Sequence, residues 1–324
     1  MKINFDKRIE LIFGLQYSVF TEYNIEYMLL STNNKKYCND FYELYKMFCS
    51  DKLKEYIKNG GLDTYNRTLE IALSLDENYN LSNNEYIELI EEKNKNFDSK
   101  RLSDLLKEFV SVSNYEQFYS NKREYYDYAI DEFKKSINKY SSFDEKIITD
   151  FFGYKIGEFE VKIFNFSMGS FGCQFNDKIV YVANMKQTNE ENKIAFYDMQ
   201  ISSLFHEFSH PYCNPLGYKY FKNKDMSNFY KESVQNGLES CYNDFIIVIN
   251  EYMVRAIQTY LCSKFISPEK TIGSIKNHKK LGYIHIEELI NLFDKKNEYE
   301  SFEEFYKMLI VPFFEKLNVK KTLI

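Results

Sequence analysis

His206-Glu207-Phe208-Ser209-His210 is the stretch of this chain with the clearest chemical meaning. Residues four apart on a helix stand one above the other on one face, so both imidazoles can reach a single metal ion. The pattern His-Glu-x-x-His pairs two zinc-binding histidines with a glutamate that takes a proton from a metal-bound water. His206 and His210 are therefore read as ligands and Glu207 as the general base. The chain has only 4 histidines, and this pair uses two of them.

A catalytic zinc site needs three protein ligands and one open position for water. No histidine follows at the spacing H-x-x-G-x-x-H, which would complete a three-histidine set. Glu251, 41 residues past His210 (251 − 210), is the expected third ligand. It lies in a stretch whose other side is strongly apolar, where a carboxylate must be paired, ligating or exposed because burying it alone is expensive. Arg255 follows one turn later and is placed to bind the second carboxylate oxygen or a neighbouring acid. A plain Glu251–Arg255 surface pair has the same spacing. Glu239 and Asp244 are rival ligands and His285 a weaker one. An oxyanion donor besides the metal would come from Tyr283 or His285. An ordinary packed ring or surface residue is the plainer reading of each.

These groups need elements to hold them. Ile201, Leu204, Phe205 and Phe208 follow i, i+3, i+4, i+7 and predict an amphipathic helix with the histidines on a separate side. Pro211 disfavours the α conformation at His210 and predicts that the helix ends there or just after. Asn214-Pro215 then reads as a loop. Leu238 to Phe265 is periodic and predicts the helix that carries Glu251. A loop is expected after Pro268, then Gly282-Tyr283-Ile284-His285, with helices over Ile286 to Phe293 and Phe302 to Leu317.

Upstream, helical spacing runs over Leu62 to Leu75, Asn84 to Lys95, Leu102 to Val112 and Tyr115 to Tyr140. The character changes near Gly153. Glu158 to Phe166 alternates polar and apolar residues, the period of a half-buried strand. Lys178 to Ala183 is β-branched and apolar, and Asn176-Asp177 before it predicts a hairpin turn. Lys178 to Ala183 reads either as an edge strand that holds an extended peptide by β-addition or as an interior strand. The resulting fold class is α+β and predominantly helical, with a helical region over 1–150 and the motif-bearing region over 151–324.

Composition narrows the partners. The chain of 324 residues is 44% apolar, lacks Trp, and has 29 Tyr and 29 Phe, so rings must fill much of its core. A net charge of −6 with interspersed signs argues against a nucleic-acid partner. No apolar run approaches a membrane span, and the charged N-terminal stretch does not read as a secretion signal. A cytoplasmic protein with no membrane partner is expected. Cys38, Cys49, Cys173, Cys213, Cys241 and Cys262 form no CxxC pair and are read as buried thiols. Cys213 stands out only because it lies three residues past His210.

The combination resembles a zincin peptidase of the gluzincin type: His206-Glu207-x-x-His210 matches the metal motif, and Asn250-Glu251 resembles its second-helix Asn-Glu. HEFSHPYCNP, NEYMVRA and the early RIELIFGL are similar to an uncharacterised bacterial HExxH family that carries a domain-of-unknown-function label. The resemblance implies a zincin-like catalytic domain with a small antiparallel sheet and an active-site helix. It implies Zn2+ on His206, His210 and Glu251, Glu207 as base, and a peptide or protein substrate. A catalytically inactive metal-binding or interaction protein on the same scaffold is the alternative.

Overall fold

Helix starts follow from side chains that satisfy the first backbone N–H groups. Asp6, Asn34, Ser50, Asn84, Asp98, Asp244 and Ser301 each place a side-chain oxygen on an N–H of the turn that follows. The structure is a computed structural model, and it describes residues 1–25, 34–62, 65–82, 84–140, 144–166, 169–188, 193–238 and 244–319. The helices are α1 (Lys7–Glu22), α2 (Lys35–Phe48), α3 (Asp51–Tyr56), α4 (Tyr65–Ser74), α5 (Glu85–Lys93), α6 (Ser99–Ser113), α7 (Tyr115–Ser120) and α8 (Arg123–Asn138). Farther along come α9 (Lys146–Phe152), α10 (Asp198–Phe221), α11 (Ser227–Gln235), α12 (Phe245–Phe265), α13 (Pro268–Lys280), α14 (Ile286–Leu292), α15 (Phe302–Phe305) and α16 (Val311–Asn318). The strands are β1 (Lys2–Asn4), β2 (Glu158–Phe164), β3 (Phe171–Phe175), β4 (Lys178–Asn184), β5 (Lys186–Gln187) and β6 (Ile194–Ala195). The protein is thus predominantly helical with a small sheet, as the sequence pattern predicts.

The chain divides into two units, Met1–Ile137 with Phe159–Gln200, and Asn138–Glu158 with Ile201–Ile324. The strands belong with the N-terminal helices, because β1 at the start of the chain pairs with β2, Lys2 opposite Glu160. That pairing is parallel, whereas β3 and β4 are antiparallel, so the four-stranded sheet is mixed rather than antiparallel. Its order is β1-β2-β4-β3. β4 is therefore interior, and its backbone groups are taken by β2 and β3. Lys178 to Ala183 has no edge to offer a peptide.

In the first unit β2 is buried along nearly its whole length, not on one face only. Its two buried polar positions are ion-paired: Lys162 Nζ lies 3.0 Å from Glu160 and 3.5 Å from Asp6, and Lys178 lies 3.0 Å from Glu160. Pairing lets these charges leave water. A second buried polar group sits on α1. Glu10 is 1% exposed and accepts hydrogen bonds from Asn165 N at 3.3 Å and Asn165 Nδ2 at 3.0 Å. Tyr37 also bonds its carboxyl group. Tyr125 donates to Asn165 Oδ1 at 2.7 Å and accepts from Asn34 Nδ2 at 2.5 Å, while Tyr37 and Tyr126 share a bond of 2.8 Å. Burial pushes the Glu10 carboxyl up to about 8, so it carries its proton at neutral pH.

The second unit is built on α10 and α12. The structure corrects two expectations here. α10 does not end near His210 but runs through Pro211 and Pro215 to Phe221. Each proline removes one backbone N–H and strains the preceding turn, costing about 3 kcal/mol in a helix interior. Burial of the same segment offsets that cost. Tyr212 stacks on Phe152 at 4.0 Å, and Cys213, Leu216 and Phe221 are buried. Each large apolar side chain removed from water contributes roughly 1.5–3 kcal/mol. The second correction is α13: Pro268 opens a helix rather than a loop, because its fixed φ and missing N–H suit the first helical position.

Candidate metal centre

α12 buries Val248, Ile249, Tyr252, Met253, Val254, Ala256 and Ile257. That leaves Glu251, Arg255 and Gln258, at i, i+4 and i+7, on one polar stripe. The stripe faces the histidine side of α10. Ser202 accepts from Gln258 Nε2 at 3.2 Å, His210 lies opposite Glu251, and Gly217 lies opposite Asn250. Position numbers fall along α10 as they rise along α12, so the helices run antiparallel. Gly217 permits their close approach, since a Cβ there would lie 2.0 Å from Asn250 Oδ1.

His206, His210 and Glu251 come together, with one ligand atom from each lying within 4.8 Å of the others. His206 Nε2 and His210 Nε2 are 3.2 Å apart, and His210 Nε2 is 3.5 Å from Glu251 Oε1. His206 Nε2 is 3.9 Å from Glu251 Oε2. Zinc bonds of about 2.0–2.2 Å in a tetrahedron set ligand edges of about 3.3–3.6 Å. The nitrogen pair and the His210–Glu251 edge match that frame before any side chain moves.

The outer partners decide what these atoms can do. Asn214 Oδ1 lies 3.3 Å from His210 Nδ1. A carboxamide oxygen only accepts, so Nδ1 carries the proton and Nε2 presents a lone pair. Gln258 bonds the His206 ring, whose Nε2 faces the cluster. Arg255 Nε and Nη2 reach Glu251 Oε2 at 3.1 and 3.0 Å. Each ligand thus has its far side held by a different residue, the arrangement that orients metal ligands and fixes imidazole tautomers. Burial, then the charges of His210 and Arg255, hold the His206 imidazole well below its usual pKa and therefore neutral. Two imidazole nitrogens and a carboxylate thus face one point, a donor set that fits a metal cation.

The remaining sequence expectations find plainer places. Tyr283 is 1% exposed, packs edge-on to Tyr252 at 4.9 Å and carries the Arg255 guanidinium 4.7 Å above its ring. It is a packed ring in the core beneath Arg255. His285 lies 3.6 Å from Glu232 and 3.4 Å from Glu288. Asp244 caps α12 by accepting from Ile246 N at 2.7 Å. Glu239 and Cys241 lie outside the described residues. Burial pushes the Cys213 thiol far up, so it is an inert core group. Glu207 is partly exposed on α10 between the two histidines.

Sequence reasoning missed Asn214, Gln258 and Gly217. Asn214 is four residues past His210 and Gln258 seven past Glu251, so both spacings were available to helical geometry. Gly217 lies seven past His210, on the same face.

Among the described residues no helix is long and apolar enough to cross a membrane. A family model described as "Domain of unknown function (DUF4932)" matches residues 1–311, a span that includes every residue of the cluster. No curated protein and no solved structure matches the chain.

Proposed function

We propose that this chain, which belongs to the DUF4932 family, is a zinc-dependent peptidase that hydrolyses peptide bonds with Glu207 as general base. One observation carries the reading: three ligand atoms converge, and the far side of each ligand is held by a residue of its own. His206, His210 and Glu251 would hold the zinc. That two-histidine, one-carboxylate set leaves a fourth position for water, as catalytic zinc sites do. Zinc, when bound, lowers the pKa of its water to about 7 and polarises the substrate carbonyl.

The chain's own residues supply the rest. Glu207 takes the proton as the water attacks and passes it to the leaving amine, so one carboxyl serves as base and then as acid. Asn214 and Gln258 keep both imidazoles in the tautomer that points Nε2 at the centre. Arg255 holds Glu251 in place. A peptide or protein is the proposed substrate, and a cytoplasmic location without nucleic-acid or membrane partners remains part of the proposal.

The test separates a peptidase from a metal-binding relative without activity. Wild-type protein and Glu207→Gln are purified without chelator, assayed for zinc and offered a broad peptide library. Equal zinc with cleavage by wild type alone, reduced about 10²–10⁴-fold in the variant, is the expected result. Equal zinc with no cleavage by either protein would leave a binding protein on this scaffold.

A further inference from the structure

We infer that Arg255 is a positioning residue that restricts Glu251 to ligation through Oε1 and so keeps a coordination position open for water. The inference rests on the metal-centre reading. Arg255 places two N–H groups, Nε at 3.1 Å and Nη2 at 3.0 Å, on the same oxygen, Glu251 Oε2. A carboxylate oxygen that accepts two charge-assisted bonds has its lone pairs committed. Oε1 lies 3.5 Å from His210 Nε2 without such a hold, whereas Oε2, 3.9 Å from His206 Nε2, carries both guanidinium contacts.

The guanidinium is itself held. It lies over the Tyr283 ring at 4.7 Å, and that ring is fixed between Tyr252 and the turn after α13. Tyr283 N donates to His278 O at 3.0 Å across that turn. Gly282 supplies the turn with φ +93°, and a Cβ there would meet Leu238 N at 2.5 Å. Only glycine satisfies both conditions. The series Glu251, Arg255, Tyr283, Gly282 is therefore one packed support. Without Arg255 nothing described here prevents Glu251 from offering both oxygens, which would raise the coordination number and occupy the place of the water.

The experiment uses the full chain, stripped with chelator and reloaded with Zn(II) or Co(II). Wild type, Arg255→Leu, Arg255→Lys and Glu251→Gln are compared. Zinc affinity is read by competition with a chromophoric chelator, and coordination number by the visible absorption of the cobalt form, which is strong for four ligands and weak for five or six. Arg255→Leu should lose about 10–100-fold in zinc affinity. It should also show the weak spectrum of a higher coordination number, which a general loss of stability would not produce. Arg255→Lys keeps the charge but offers a single point donor, so it should fall between the two. If Arg255→Leu misfolds, the lysine variant carries the test alone. A wild-type spectrum and wild-type affinity in the Arg255 variants would overturn the inference while leaving the metal centre intact. Failure of wild type to take up stoichiometric metal would remove the centre and the inference together.

Discussion

Two buried polar clusters can be compared within this chain, and they differ in one respect. Around Glu10, each acceptor named here faces a donor: Asn165 N and Nδ2 reach the carboxyl group, Tyr125 reaches Asn165, and Asn34 reaches Tyr125. A proton retained by Glu10 makes the cluster neutral. Around His206 the balance fails. Two Nε2 lone pairs and the Glu251 carboxylate converge, while the donors of Asn214's partner nitrogen, Gln258's partner ring and Arg255 act on the outer side. Burial of polar groups is common to both. A point where three ligand atoms converge is what the proposed metal centre has and the Glu10 network lacks.

The largest expected difference is in metal binding. His206→Ala should lower zinc affinity by more than the ~10–100-fold that loss of an outer partner costs, because it deletes a ligand outright. Glu10→Gln should leave zinc affinity unchanged. Titration of both variants with zinc checks the contrast, and weakened binding in Glu10→Gln would show that the two clusters are not separable in this way.

A smaller effect is expected from the spacing of α10 and α12. Gly217→Ala puts a methyl group 2.0 Å from Asn250 Oδ1, so the Asn250 side chain or the helices must shift beside Glu251. Overpacking of this kind costs about 1–3 kcal/mol. Thermal unfolding of the metal-free protein should report that loss, and zinc affinity should fall with it because Glu251 moves relative to the histidines. Gly273→Ala is the control, since a Cβ there meets nothing within 4 Å. It should be neutral or slightly stabilising, by about 0.5–1 kcal/mol. Equal behaviour of the two alanine variants would refute the role given to Gly217.

The contrast between clusters also explains what the sequence made legible. The convergence of His206, His210 and Glu251 was readable because ligand chemistry and helical period are both local rules. The extent of α10 was not. Local preference at Pro211 favours a helix end, and the stacking of Tyr212 on Phe152, a contact with another segment, overrides it. The partner of β2 was not legible for a similar reason: β2 alternates as a strand should, but the identity of its partner, the first residues of the chain, is a long-range fact. Polar alternation in β2 suggested a wet face, and only the ion pairs of Glu160 and Lys162 reveal a dry one. Asn214 and Gln258 sat at helical spacing from the ligands, yet amides at such spacing have no meaning until the ligand they serve is known.

The finest test is the sign of the pH dependence in metal-free protein. Glu10 titrates at about 8 when folded and near 4.5 when exposed, so between those values the folded chain binds the extra proton. Stability from this group is full below 4.5 and is lost as pH rises through 8. His278 runs the other way. Burial, and then the charge of Arg255, pull it down to about 4 from 6.5. The unfolded chain then binds the extra proton, so stability is full above 6.5 and is lost as pH falls toward 4. Each group can tilt stability by at most about 1.4 kcal/mol per pH unit. Urea unfolding from pH 4.5 to 8.5 should therefore give a Glu10→Gln curve that gains on wild type as pH rises, since the amide is neutral throughout. A His278→Asn curve should gain on wild type as pH falls. Curves parallel to wild type would mean that burial neither keeps a proton on Glu10 nor keeps one off His278. Slopes of the same sign in both variants would break the contrast between a cluster closed by a proton and one kept free of protons beside the centre.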